Sequence, residues 1–210
     1  MPGPDFDERA ATWDDDPTRV ERARTVAQRI LAAAPLSTDS RVLDYGAGTG
    51  LLSEGLKDHV GRLYLADPSA GMRQVAQAKV DAGVLPGAEV LGLDLASDPV
   101  PQELEVDAIV TMMALHHIPA ARTVLDGFSR LLPDGGTLAI VDLEREDGSF
   151  HDEGFDGHHG FDRAELTGWL EEAGFARVRF DHAYTVDKDG RDYGLFLAVA
   201  TRAGSGPAAP

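Results

Sequence analysis

The sequence predicts an α/β fold, a single domain built on a doubly wound, mostly parallel sheet with helices on both faces. Three observations carry this. Short apolar β-type runs alternate with stretches of helical periodicity along most of the 210 residues. The first such run, Arg41-Val42-Leu43-Asp44, leads straight into Tyr45-Gly46-Ala47-Gly48-Thr49-Gly50. Acidic residues then recur where three successive strands end, at Asp44, Asp67 and Asp94, and in such sheets ligands bind beyond the carboxyl ends of strands.

Taken in order, residues 17–34 read as a helix. Asp16 can cap it, Pro17 suits its first position, and Val20, Ala23, Val26, Ala27, Ile30, Leu31 and Ala34 recur at helical spacing. With the residues ahead of it, this helix makes an N-terminal arm spanning 1–40. After the strand at 41–44, a helix over about 51–59 is closed by Gly61, and Leu63-Tyr64-Leu65-Ala66 forms the next strand. A helix over 69–81 precedes a strand over 89–93, and Asp107 to Thr111 is a short buried strand. Pro119 opens a helix whose Ala121, Val124, Leu125, Phe128, Leu131 and Leu132 form an apolar face, stopped by Pro133 to Gly136 before the strand 137–141. Asp162 and Glu165 resemble a capping box for a helix ending at Gly174. Two β-rich segments, 175–183 and 193–201, finish the domain at residue 203, and the Gly- and Pro-rich tail 204–210 is expected to be disordered.

Bulk properties narrow the function. The chain is 43% hydrophobic and 26% charged, with no apolar run near membrane-spanning length. The acidic opening MPGPDFDERAATWDDD is unlike a signal peptide, so a cytoplasmic location is expected. The absence of cysteine excludes disulfides, thiolate metal sites and cysteine nucleophiles. With 36 acids against 19 bases, the net charge of −17 disfavours nucleic acid and favours a small-molecule substrate.

The glycine loop suits close approach of backbone to a ligand. Two details separate it from a dinucleotide site. The G-x-G-x-x-G fingerprint counted from Gly46 needs glycine where Leu51 stands. Asp44, just before the turn, would repel a pyrophosphate and attract an ammonium group, which S-adenosylmethionine carries. Asp67 is placed to accept hydrogen bonds from ribose hydroxyls, and Asp94 to accept from an adenine amine. Each aspartate alone also fits an ordinary turn cap; the series of three is the stronger signal.

VLDYGAGTG, LADPS with Met72 behind it, LGLDLAS, VDAIVTMMALHHI and LLPDGGTLAIVDLE together resemble the motif series of class I methyltransferases. The similarity is greatest to the small-molecule and quinone-type group, and FDERAATWDDDPTRVERA and HHGFDRAELTGWLEEAGF extend it over nearly the whole chain. The resemblance implies a Rossmann-like seven-stranded sheet in order 3-2-1-4-5-7-6 with the last strand antiparallel. It implies S-adenosyl-L-methionine as cofactor. Asp44, Tyr45, Gly46, Ala47, Gly48 and Gly50 would hold the methionine portion, and Asp67 with Pro68 the ribose. Met72, Asp94 and Leu95 would hold the adenine, with Met113 and Ala114 closing the site. Arsenic methyltransferases are also similar, but require cysteines that are missing here.

Five of the seven histidines fall at the ligand-binding edge: His116 and His117 after the fourth strand, and His151, His158 and His159 after the fifth. His117 and His159 are the candidate proton acceptors, and His116 and His158 are candidate pocket walls. Capping and wall-forming roles fit the same residues. His151, Asp152, Glu153, His158 and His159 are legitimate metal ligands, but their spacing matches no strong motif, so no metal is expected. Trp13 is a candidate lid over the substrate pocket, or simply anchors the arm. The function so expected is methyl transfer to an oxygen, nitrogen or carbon of a small molecule. A non-catalytic module binding the same donor is the alternative, with aminopropyl transfer and NAD-dependent oxidation further behind.

Overall fold

The computed structural model describes residues 6–204. Its seven strands are β1 (Arg41–Tyr45), β2 (Arg62–Ala66), β3 (Glu89–Leu91), β4 (Ala108–Met112), β5 (Thr137–Leu143), β6 (Phe175–Lys188) and β7 (Arg191–Arg202). They form one sheet in the order β3-β2-β1-β4-β5-β7-β6. The pairs β1–β2, β1–β4, β2–β3 and β4–β5 are parallel, and β7 runs antiparallel between β5 and β6. This is the expected fold and order. The chain winds outward from β1 in one direction and returns through β4 in the other, so a crevice opens between their carboxyl ends.

Period-two alternation along β1 decides what faces what. Val42 points into a core shared with α2 (Pro17–Ala33) and α3 (Leu51–Leu56). Leu43 and Tyr45 point into the opposite core, against α5 (Ala121–Leu131) and α6 (Arg163–Glu172). Asp44 therefore lies on the α2–α3 side, under the helix that follows the glycine loop. Strand β5, parallel to β4 and antiparallel to β7, is buried at all seven positions, as a strand covered on both faces must be.

The helices keep their expected caps. Asp16 accepts from the Thr18 N–H ahead of Pro17, and Asp162 accepts from the Ala164 and Glu165 N–H groups. The capping box is half made, because the Glu165 carboxylate turns to Arg145. Val20 is 41% exposed; the buried stripe of α2 is Ala23, Val26, Ala27 and Ile30.

Three departures matter for the site. Strand β3 stops at Leu91, so Asp94 stands in the following loop and not at the strand end. A short 3-10 turn, Leu115–His117, precedes α5, which begins at Ala121. Ahead of α2, the arm itself folds into α1 (Phe6–Arg9) and a 3-10 turn over Ala10–Asp15. The expected disorder of the tail from 205 onward lies outside the described residues, within which no helix is long and apolar enough to cross a membrane.

Candidate active site

The glycine loop is the floor of the crevice. Gly46, Gly48 and Gly50 all hold positive φ, at 70°, 55° and 87°. A Cβ on Gly46 would stand 2.4 Å from the Ala114 Cβ, and one on Gly50 would stand 2.8 Å from Leu65. Backbone strain and space thus both require glycine. The loop is anchored to the sheet by Gly46 and Ala47 N–H groups donating to the Ala66 carbonyl at 2.8 and 3.0 Å.

Asp44 is 1% exposed and accepts a 2.7 Å hydrogen bond from the Ser53 hydroxyl of α3. Burial pushes its pKa up to about 7, the Ser53 hydroxyl opposes this, and the Asp67 charge adds to the rise. A cation beside it would reverse that shift. Asp67 accepts from the Gly48 N–H and the Ser69 N–H, both at 2.8 Å, so it ties the glycine loop to the start of α4 (Ala70–Asp81). Burial raises its pKa, and those two N–H groups oppose the rise. A carboxylate has about four lone-pair sites, so these bonds leave room for two ribose hydroxyls. Arg73 donates at 2.7 Å to the carbonyls of Asp67 and Pro68, and its guanidinium lies against Gly92. Met72 is buried, and its sulfur is the nearest atom to a Cβ placed on Gly48.

Asp94 and Leu95 are engaged within the protein. The Asp94 carboxylate accepts from the Ala96 N–H at 3.0 Å and the Ser97 hydroxyl at 2.9 Å, the ordinary turn cap. The Leu95 N–H donates to the Tyr45 hydroxyl at 3.0 Å, while the Leu95 side chain packs on Gly127. Met113, expected to close the site through its backbone, holds a left-handed φ of 55°, with its N–H donating to Val141. Strain of this kind concentrates at functional sites.

Above the crevice, the arm is latched at three points. Asp7 accepts from the Ser69 hydroxyl and the Gly71 N–H at the start of α4. Asp14 accepts from the Thr49 hydroxyl of the glycine loop at 2.6 Å and pairs with Lys79 at 2.6 Å, which also pairs with Glu54. Phe6 sets its ring edge-on to His117 at 5.2 Å. The expected lid residue, Trp13, sits one ring further out, 5.9 Å from Phe6 and beneath the Arg19 guanidinium at 4.2 Å. Asp7, Asp14, Lys79, Ser53 and Arg73 carry no motif that reveals these roles. Their significance comes from contacts between segments far apart in the chain.

The histidines divide. His116 is fully buried, with Nδ1 2.6 Å from Asp142 at the carboxyl end of β5. His117 and His151 lie against it, ring centroids 4.1 and 5.0 Å away. Burial, reinforced by His116 and His151, drives the His117 pKa down to about 2, and burial with His116 drives His151 down to about 4. Both rings are neutral at physiological pH. His159 is 45% exposed on its side chain, 3.3 Å from Glu146. His158 stands apart, its ring against Phe161 and Trp169 at the α6 side. Two surface hollows, one at Gly135, Arg177 and Arg202 and one of about 700 Å³ at Arg41, Val100 and Leu132, lie at the other end of the strands. Neither carries the carboxylates and glycines of the crevice.

Comparison with known proteins agrees with this geometry. A family model described as a methyltransferase domain matches residues 19–179. The chain is 31% identical over 157 residues to a ubiquinone biosynthesis O-methyltransferase of Xylella fastidiosa, covering 67% of this chain and 62% of that one. The first curated relatives are matched over 51–62% of their length, so the chain spans a little over half of them. Among solved structures, a SAM-dependent methyltransferase from Aquifex aeolicus superposes with a TM-score of 0.66 at 25% identity, covering 90% of this chain and 99% of that chain. A Haloferax volcanii chain solved in complex with the Trm112 methyltransferase activator gives 0.78 at 22% identity, covering 97% of this chain and all of that one. Fold, glycine cradle and family match agree: the chain belongs to the class I S-adenosylmethionine-dependent methyltransferases.

Proposed function

We propose that this chain binds S-adenosylmethionine across the glycine loop and transfers its methyl group to an oxygen, nitrogen or carbon of a small molecule in the cytoplasm. The observation that carries the reading is the buried Asp44, destabilised by burial and by Asp67, at the floor of a cradle that admits no side chain. A ligand with a cationic amino-acid head relieves that cost; a pyrophosphate aggravates it.

When bound, the donor supplies an already activated sulfonium methyl, so the protein has chiefly to position two reactants and exclude water. Asp44 holds the ammonium, and backbone from Tyr45 to Gly50 cradles the methionine portion. Asp67 takes the ribose, with Pro68 and Met72 beside it. Asp94 and Leu95 bound the adenine end, in a loop set by their own turn and by Tyr45. Met113 and Ala114 press on the loop from β4, and the arm closes over it. For a hydroxyl acceptor, His117 and His159 stand as proton acceptors at the mouth. The better placed is His159, exposed and 3.3 Å from Glu146, whereas burial makes His117 a weak base. His117, a neutral ring against Phe6, suits contact with the acceptor. His116 and Asp142 support it from below. The acidic charge favours a small acceptor over a nucleic acid.

Calorimetric titration with S-adenosylmethionine, its demethylated product and NAD tests the donor site. Micromolar-range binding of the first two and none of NAD is expected, and no binding of either sulfur compound overturns the proposal. Incubating the chain and donor with a metabolite extract, and searching by mass spectrometry for a gain of one methyl, then identifies the acceptor.

A further inference from the structure

We propose that His116, His117 and His151 form a site for an imidazole-preferring transition-metal dication of the zinc class. Two loops remote in sequence supply them: the turn after β4, and the segment after β5. One nitrogen from each ring lies within 4.8 Å of the other two.

His116 determines the chemistry. Asp142 and His116 are both fully buried, and the carboxylate accepts the Nδ1 proton at 2.6 Å while also taking the Leu143 N–H at 2.7 Å. That bond fixes the tautomer, so Nε2 bears the lone pair. No described group donates to it. A buried imidazole lone pair with its opposite nitrogen held by a carboxylate is the arrangement found behind metal-bound histidine, where the carboxylate orients the ring and raises its basicity. His117 Nδ1 and His151 Nδ1 are likewise buried without a partner. Three unpaired buried nitrogens on adjacent rings are hard to account for in a protein interior, where polar atoms are almost always paired.

The rings are also held in place. His151 stacks on Phe155 at 3.7 Å with planes 7° apart, and His117 is wedged between Phe6 and Phe155 at 5.2 and 5.5 Å. Both rings are partly exposed, which leaves a route in for the ion. A zinc-type ion binds nitrogen at about 2.0–2.1 Å, so only a small inward rotation of the rings is needed. Three protein ligands leave a fourth position open, as in catalytic zinc sites. Resting on the methyl-transfer reading, that position would take an oxygen of the acceptor. His151 also lies within reach of Glu146 and His159 as an alternative triad, and the variants below separate the two.

The untagged full chain, stripped with chelator, is titrated with cobalt(II) and followed by its visible absorption, with bound zinc counted by mass spectrometry after dialysis. One equivalent and the intense bands of a low-coordinate nitrogen site are expected. His117→Ala and His151→Ala should each weaken binding by about 30-fold or more, and His159→Ala by less than about threefold. Thermal unfolding of the stripped variants shows that they are folded. Binding that is sub-stoichiometric, that survives both substitutions, or that is lost with His159→Ala but kept with His117→Ala overturns the proposal. Donor titration of the same stripped chain reads the methyl-donor site separately, so failure of one reading does not imply failure of the other.

Discussion

Asp44 combines two demands that pull against each other. Burial favours its neutral form, with a pKa near 7, whereas an ammonium ligand favours its carboxylate. The donor thus binds the ionised form and releases a proton from Asp44. With the apparent affinity scaled by the ionised fraction, binding should tighten about eightfold between pH 6 and pH 7.5, then flatten as the donor's own amino group titrates near pH ~8. Calorimetry in two buffers of different ionisation enthalpy checks this. The sign for stability is opposite. A carboxyl whose folded pKa is raised contributes stability at low pH that is lost as pH climbs from about 4 through 7, so the ligand-free protein weakens over the range where the donor binds better. Asp67 acts differently, because it already accepts two N–H groups. Asp67→Ala leaves both without a partner, at about 1–3 kcal/mol each, and should lower the melting temperature as well as weakening donor binding strongly. Gly46→Ala places a methyl 2.4 Å from Ala114 at φ 70°. Strain of about 1–3 kcal/mol is expected, with donor binding lost before the fold.

Among the elements, the strands and central helices were legible because each follows one period and one cap. Val42 and Leu43 alternate across the sheet, Ala23 to Ile30 line one helix face, and Pro17 follows its Asp16 cap. Local grammar also encodes a hairpin. Asp189-Gly190, both at positive φ, join β6 and β7 as a tight turn of the kind Asp-Gly favours, and so extend both strands toward each other. What was not legible depends on chain segments meeting. Asp94 reads as a strand-end ligand until β3 is seen to stop three residues earlier. The histidines read as two unrelated groups until β4 and β5 bring them side by side. The arm is the clearest case, because α1 has only four residues and takes its place from Asp7 and Asp14, not from periodicity. Asp14→Ala removes the bonds to Thr49 and Lys79 together. A loss of about 1.4 kcal/mol in the closed state corresponds to tenfold faster donor release, measurable by stopped-flow displacement, with earlier proteolytic cleavage near residue 15.

At the scale of the molecule, a donor held as proposed would touch both halves of the sheet through the loops of β1, β2 and β4, so its binding should stabilise the whole domain. Donor at about a hundred times its dissociation constant adds about 2.7 kcal/mol, which for a domain this size is a rise of roughly 5–10 °C in melting temperature. NAD at the same concentration should give none. A scanning fluorimetry series with both ligands checks this in one plate. The latched arm has a further consequence for the timing of turnover. One segment, from Phe6 to Asp14, covers the ribose side at Ser69, the glycine loop at Thr49 and the mouth at His117. A molecule sealed by a single clasp over both berths cannot exchange one occupant while the clasp is shut. Donor and acceptor should therefore both exchange only as fast as the arm opens, so Asp14→Ala should quicken the release of both together.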